Sequence, residues 1–264
     1  MTRTKGKAGT PVRKLISYQL VAPMEATLGT EEIERRRAFL QRHAGAGIEI
    51  EVRSVARGTA SIESAYDAAV VVPYILESLR AAVDDGADAV IIGCFSDPGI
   101  DALREIVEVP AVGPGMSAML LALQLGNKFS IIAPNEKGSG HSASYVRQLG
   151  IQDRYASTRG MGLSVVDLAR SGNEAMDRIV TVGQRCIDED GAHVLVLGCM
   201  SMAFLGIDAA IQDRLGVPVV SPVIAALKTT ETMLAHGISH SRLGWSTPPQ
   251  KPILERPKLK IHVS

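Results

Sequence analysis

Two of the three cysteines in this 264-residue chain stand in the same setting. Cys94 ends the phrase Gly86-Ala87-Asp88-Ala89-Val90-Ile91-Ile92-Gly93-Cys94, and Cys199 ends Gly191-Ala192-His193-Val194-Leu195-Val196-Leu197-Gly198-Cys199. Each follows an apolar run and a glycine, and each precedes a serine by two residues, Ser96 and Ser201. A lone cysteine is more often core than catalytic. A repeated setting changes that, because a repeat need not preserve a merely apolar thiol at both strand ends. A thiol has an ordinary pKa of about 8.5, and backbone N–H groups at a helix N-terminus lower it, so it can exchange a proton near neutral pH. Two facing thiols can work in sequence. One, as thiolate, removes a proton from a carbon next to a carbonyl, and the other delivers a proton to the opposite face, inverting the carbon. The enolate-like intermediate needs hydrogen-bond donors. The backbone N–H groups of Phe95, Ser96, Met200 and Ser201, with the two serine hydroxyls, are candidates. Such chemistry requires no metal and no cofactor.

The elements that must position these groups alternate between strand and helix. Residues 14–21 read as a first strand, ended by Ala22-Pro23-Met24. Thr30 is placed to cap a helix through about His43, with Glu31, Glu32 and Glu34 in its first turn. Residues 48–52 form a second strand, and a loop over 56–64 leads into a helical stretch to Asp84 that contains Pro73, which must start a helix or kink one. The strand 89–92 leads to Cys94, followed by a helix over 98–107, a short strand over 110–112 and a helix over 116–125 that stops at Gly126. A strand over 129–133, a helix opening at 138–142, a short apolar segment over 165–168 and a helix over 174–189 come next. The cycle then repeats with strand 193–197, helix 205–215, strand 217–220 and helix 222–235.

This alternation predicts an α/β protein with parallel sheets. The chain also repeats itself. Cys199 follows Cys94 by 105 positions (199 minus 94), and Val109-Pro110-Ala111-Val112-Gly113-Pro114 matches Val217-Pro218-Val219-Val220-Ser221-Pro222 at an offset of 108. Two similar lobes follow, the first over 13–113 and completed by the C-terminal stretch 222–264, the second over 114–221, with a loose arm over 1–12. A cleft between them would bring the C-terminal ends of both sets of strands together, where open α/β sheets bind ligands.

Composition narrows the partners. Lys plus Arg and Asp plus Glu each total 28, so no basic field points to nucleic acid or an anionic membrane. Aromatics at 4% leave little for base stacking, and no apolar run approaches the ~20 residues of a membrane helix. The N-terminus lacks the apolar core of a secretory signal, and three cysteines without a CxxC suit a reducing compartment. A cytoplasmic protein acting on a small molecule is expected.

Other residues admit plainer readings. Gly113-Pro114-Gly115-Met116-Ser117-Ala118 has the GxGxxA form of a dinucleotide fingerprint, but its counterpart from Ser221 lacks the glycines, so Gly113 and Pro114 are expected to line the cleft instead. Asp97 precedes Pro98 and is expected to cap its own helix. Glu63 is a candidate polar group near the cleft, Ser61 serves either loop hydrogen bonding or substrate contact, and His141 could reach the cleft. The run 31–37 reads as a solvated helix face, Cys186 as packing, and His193, His236 and His240 as residues of strand or helix ends and the tail.

The chain resembles the aspartate/glutamate/hydantoin racemase superfamily, most closely its hydantoin and allantoin racemase branch. The resemblance rests on Gly58-Thr59-Ala60-Ser61-Ile62-Glu63-Ser64-Ala65-Tyr66-Asp67, Gly93-Cys94-Phe95-Ser96-Asp97-Pro98-Gly99, Leu197-Gly198-Cys199-Met200-Ser201-Met202 and Gly216-Val217-Pro218-Val219. It implies two flavodoxin-like lobes with the site between them, proton transfer by Cys94 and Cys199 without a cofactor, and a homo-oligomer. It also implies substrate contacts at Pro23, which stands in the branch's Asn-Pro-Asn turn, and at Asn135, in the turn where maleate isomerases and arylmalonate decarboxylases offer Thr-Pro-Tyr. The chain departs from the branch at Ala22 and Met24, at Met116-Ser117 where Glu-Ala is usual, and at Ser201, which replaces the glycine of GCAGM. The expected activity is therefore racemisation or epimerisation of a hydantoin-like or amino-acid-like compound. A maleate-type isomerase with a covalent cysteine adduct and a non-catalytic two-lobed binding protein are the alternatives.

Overall fold

The computed structural model describes residues 13–136, 138–168 and 173–252. The arm expected over 1–12 and the end of the stretch 222–264 lie outside them. Among the described residues eight strands make two four-stranded parallel sheets. β1 (Lys14–Leu20), β2 (Ile48–Ser54), β3 (Ala89–Gly93) and β4 (Ala111–Val112) lie in the order β2-β1-β3-β4. β5 (Phe129–Ala133), β6 (Tyr155–Gly160), β7 (Val194–Leu197) and β8 (Val219–Val220) repeat it as β6-β5-β7-β8.

The strands β3, β5 and β7 form because their side chains are almost all apolar on both faces. Every residue of β3, β5 and β7 is buried, as expected for parallel strands covered by helices on both sides. β6 has no such signal. Its sequence Tyr-Ala-Ser-Thr-Arg-Gly is half-buried throughout, and it forms at the sheet edge where Ser157 and Arg159 bond the Asp190 carboxylate, each at 2.6 Å. No strand was expected there. It is the counterpart of β2 in the second lobe.

Helix boundaries differ in instructive ways. The helix Thr30–His43 begins one residue earlier than a Thr30 cap requires, with Gly29 at the N-cap and no side-chain cap. The helix Ala65–Asp84 is capped by Ser64, whose hydroxyl accepts from the Asp67 N–H at 3.1 Å, and it runs through Pro73. In place of one helix over 205–215 there are two, Met200–Ala203 directly after Cys199 and Asp208–Leu215. The helix Pro222–His236 packs on β3 and β4 of the first sheet and on the helix Pro114–Leu125. Beyond it the segment 237–252 covers the edge of β4. His240 Nε2 accepts the Ala111 N–H at 2.7 Å, Trp245 Nε1 donates to Asp101 at 3.0 Å, and Arg242 donates to the carbonyls of Arg104, Glu105 and Val107. His240 is thus an edge-strand partner rather than an idle tail residue, and burial beside Arg104 and Arg242 pushes its pKa down to about 4.

The glycine before each cysteine has the same steric cause in both lobes. A Cβ on Gly93 would stand 2.5 Å from the Gln19 carbonyl oxygen of β1, and one on Gly198 would stand 2.6 Å from Ile131 and 2.9 Å from the Ile132 carbonyl oxygen of β5. Each strand must therefore turn tightly against its neighbour as it delivers its thiol. Gly93→Ala and Gly198→Ala should each destabilise the protein by about 2–3 kcal/mol through overpacking, read as a lower urea midpoint with an unchanged slope; midpoints equal to wild type would refute the steric reading.

Candidate active site

The C-terminal ends of β1, β3, β5 and β7 surround a cavity of about 520 Å³, within the usual range for a small-molecule site. Cys94 and Cys199 both line it, with Phe95, Ser96, Met200, Ser201, Ser61 and Asn135. Much of the remaining wall is apolar, from Leu20, Val21, Ala22, Met24, Leu28 and Ile62. Pro23, Gly113 and Pro114 are not part of the lining. Pro23 serves the turn after β1, where its carbonyl accepts from Ala26 and Thr27.

Gly113 is kept from the cavity by Asp97. The Asp97 carboxylate accepts from Gly115 N at 2.9 Å, Met116 N at 2.8 Å and Tyr145 Oη–H at 2.5 Å. It therefore caps the helix Pro114–Leu125, not the helix that follows it in sequence, whose N-cap is Gly99. A Cβ on Gly113 would stand 2.3 Å from Asp97 Oδ2, and one on Gly115 would stand 1.9 Å from the Phe95 carbonyl oxygen. The glycines of the GxGxxA phrase are explained by this close approach of the Cys94 loop. Asp97 itself takes the left-handed conformation, with φ 47, which an aspartate tolerates better than most residues.

The thiols are less acidic than a helix N-terminus alone would make them. Burial pushes the Cys94 thiol up to about 11 and raises that of Cys199, outweighing the hydrogen bonds that lower them. Those bonds come from Ser96 to Cys94, and from the N–H groups of Met202 and Ser201 to Cys199. Ser96 Oγ lies 3.3 Å from Cys94 Sγ. So the N–H groups of Ser96 and Ser201, expected to face substrate oxygens, face sulfur. The charged surroundings of the two thiols also differ: Asp97 raises Cys94, and Arg36 lowers Cys199.

Arg36 is the residue that sequence reasoning missed. In the run taken as a solvated face it is only 2% exposed and lines the cavity. Its Nε donates to Glu32 Oε1 at 2.7 Å, its Nη2 to Ser201 Oγ at 3.2 Å, and its guanidinium carbon lies 4.8 Å from the Phe204 ring centroid. The i to i+4 pairing with Glu32 was visible, but nothing local reveals a partner 165 residues away. Glu63 binds across the cavity in a similar way. It accepts from Ser61 Oγ at 2.8 Å, Asn135 Nδ2 at 3.0 Å and Val165 N at 3.2 Å, so Ser61 makes a loop hydrogen bond and still lines the cavity. His141 reaches the lining from the start of the helix Gly138–Gln148, and Cys186 is fully buried core.

Residues 29–230 match the model of the Asp/Glu/Hydantoin racemase family. The chain belongs to that family. It is 32% identical over 217 residues to hydantoin racemase of Pseudomonas sp. (strain NS671), covering 78% of this chain and 86% of that one. Among solved structures it is similar to allantoin racemase from Klebsiella pneumoniae, with a TM-score of 0.83 and 28% identity over 92% of this chain and 97% of that one. Allantoin racemase from Pseudomonas fluorescens gives a TM-score of 0.82 and 28% identity over 92% of this chain and all of its own. The chain is thus an isomerase, a racemase of the Asp/Glu/hydantoin racemase family, and its two sheets are the two lobes of that fold. None of the described helices is long and apolar enough to cross a membrane.

The buried Asp97 of this racemase should make stability depend on pH. Burial pushes its carboxyl up to about 6 despite three donors, above the unfolded value of about 3.9. The native state then holds the extra proton between those two values, so Asp97 costs roughly 3 kcal/mol as pH rises from about 4 to about 6. The difference in unfolding free energy between wild type and Asp97→Asn, measured in urea across that range, should shrink with rising pH; curves that stay parallel would refute it.

Proposed function

We propose that this racemase inverts the ring carbon of 5-substituted hydantoins that carry an apolar substituent, with Cys94 and Cys199 as the two proton-transfer groups. The observation that carries the reading is that both thiols line one small, largely apolar cavity at the ends of corresponding strands. One cysteine, as thiolate, takes the proton from C5 of the ring. The electron pair moves into the adjacent carbonyl as an enolate, and the other cysteine, as thiol, returns a proton to the opposite face. The first thiol now carries the substrate's proton and the second is a thiolate, so the enzyme is poised for the reverse reaction.

The apolar substituent is favoured by the turn after β1. Ala22 and Met24 line the cavity beside Leu20, Val21 and Leu28 where the branch pattern has amide side chains. A polar ureido substituent would lose hydrogen bonds against such a wall, whereas an alkyl or aryl group gains its burial free energy there, about 25 cal/mol per Å².

Self-association is part of the same reading. Leu120, Leu121 and Leu125, exposed by 38% to 47%, adjoin a groove of about 900 Å³ between the helices Pro114–Leu125 and Pro222–His236. A contiguous apolar face of this kind supports a contact with a second copy of the chain.

Incubation of wild type in heavy water with enantiopure 5-isobutyl- or 5-benzylhydantoin should give loss of optical rotation with one deuterium entering at C5 faster than in the blank. Cys94→Ser and Cys199→Ser should each lower the enzymatic rate by about 10³-fold. Conversion by either variant at the wild-type rate would sink the two-thiol mechanism, and conversion of maleate with a trapped thiol adduct would favour the isomerase. Because both thiols are raised, kcat/KM should still be climbing at about pH 9 and fall only as Cys94 loses its proton near 11; a maximum below pH 7 would contradict that order. Leu121→Glu with Leu125→Glu should shift the sedimentation coefficient to that of a monomer without loss of helix; a monomeric wild type overturns the proposed contact.

A further inference from the structure

The proposed reaction needs a donor for the oxygen on which negative charge develops, and the N–H groups of Ser96, Ser201 and Met202 are engaged with the thiols. Besides the N–H groups of Phe95 and Met200, Arg36 has unspent capacity. Its Nε and Nη2 are bound, but its Nη1 makes no hydrogen bond among the described residues, although the side chain is 98% buried in the sense that only 2% remains exposed, and it lines the cavity. A guanidinium N–H that lines the cavity without a protein acceptor can donate to an acceptor on a bound ligand.

The charges around it leave an excess. Arg35 and Arg36 share the single carboxylate of Glu32, so two cations face one anion. The carboxylate of Glu63, which lines the cavity, is occupied by Ser61, Asn135 and Val165. The guanidinium is also held in place. Glu32 fixes one side, Phe204 lies against its face, and the hydroxyl of Ser201 holds Nη2, two residues after Cys199. The branch's glycine at that position would offer no such hydroxyl.

Resting on the hydantoin reading above, we propose that Arg36 Nη1 donates to the carbonyl oxygen next to the inverted carbon and stabilises the enolate, with Ser201 as the residue that positions it. A fixed, buried cation requires little reorganisation as charge moves from thiolate to enolate oxygen. No bond to Arg36 forms or breaks: the proton stays on the guanidinium, and the electron pair returns to carbon when the second thiol delivers its proton.

The test pairs binding with kinetics. Barbiturate, a planar cyclic ureide that is an enolate anion at neutral pH, serves as the charged probe, and dihydrouracil as the neutral one. Calorimetry should show Arg36→Met binding barbiturate about 10²-fold more weakly than wild type, Arg36→Lys falling between them, and dihydrouracil affinity unchanged. With 5-benzylhydantoin, kcat should fall about 10²- to 10³-fold in Arg36→Met while KM stays within a few-fold. Both variants leave Glu32 paired with Arg35, and unchanged dihydrouracil binding reports an intact cavity. Equal barbiturate affinity in wild type and Arg36→Met, or no barbiturate binding by wild type, would overturn the assignment, as would a kinetic loss confined to KM. Barbiturate discrimination without racemisation of any hydantoin would uphold Arg36 as the enolate donor and instead remove the hydantoin reading.

Discussion

A buried carboxylate surrounded by donors ties the two halves of this molecule together. Asp97 leaves the first sheet two residues after Gly93-Cys94-Phe95 and caps the helix Pro114–Leu125, while Tyr145 from the second lobe donates to the same oxygen. Because the Asp97 backbone is left-handed and the Phe95 carbonyl passes against Gly115, the loop that carries Cys94 has little freedom. Its position relative to the second lobe is set by those bonds. Two further bridges close the ring around the cavity. Arg35 and Arg36 reach the Phe204 carbonyl and the Ser201 hydroxyl, and Glu63 reaches Asn135 and Val165. A site assembled from two lobes needs such bridges, since a shift of 1 Å between facing groups is enough to spoil proton transfer.

The repeat supplies the other half of the geometry. Each sheet presents a buried central strand that ends in Gly-Cys, and each glycine is demanded by the same contact with the neighbouring central strand. Parallel strands in matching order carry their C-terminal ends to the same side of each sheet, so facing sheets bring equivalent turns into one cavity. The thiols meet there because the same local instruction is written twice.

That repetition is also why the fold and the cysteine pair were legible in the sequence. Fully buried runs such as 89–93 and 194–197 declare themselves by composition, and the offsets between the cysteines and between the Val-Pro phrases expose the two lobes. What escaped was decided by tertiary contact. β6 is an edge strand whose polar side chains are satisfied by Asp190, so neither alternation nor an apolar run marks it. Arg36 sits in a helix whose charges three and four apart are those of an ordinary surface, and only packing against Phe204 and Ser201 buries it. Asp97 carried the right role, a helix cap, but the wrong helix, because a cap is recognised locally while its partner here lies 18 residues on. Gly113 and Pro114 were placed at the cavity by analogy with their repeat. In the structure they are held by Asp97 and by the helix they begin.

The two lobes are alike in backbone and unlike in charge, and that difference bears on how a symmetrical pair of thiols can do directional work. Cys94 has the Asp97 carboxylate three residues away, which disfavours its thiolate, while Cys199 has the Arg36 guanidinium nearby, which favours it. Burial raises both, and of the two thiols the surroundings favour the thiolate at Cys199 over that at Cys94. A mirror-symmetric site would share that charge evenly and leave half the molecules poised for the wrong enantiomer of any substrate presented alone. In the proposed two-thiol mechanism this bias would set which hand meets the thiolate first in the resting protein, and turnover would move the charge to Cys94 before the opposite hand could react. Equal equilibrium populations of the two products are unaffected, because a catalyst cannot shift them. What the asymmetry would set in that mechanism is the relative rate of entry from each side, and it comes from two residues, Asp97 and Arg36, that the repeat does not duplicate.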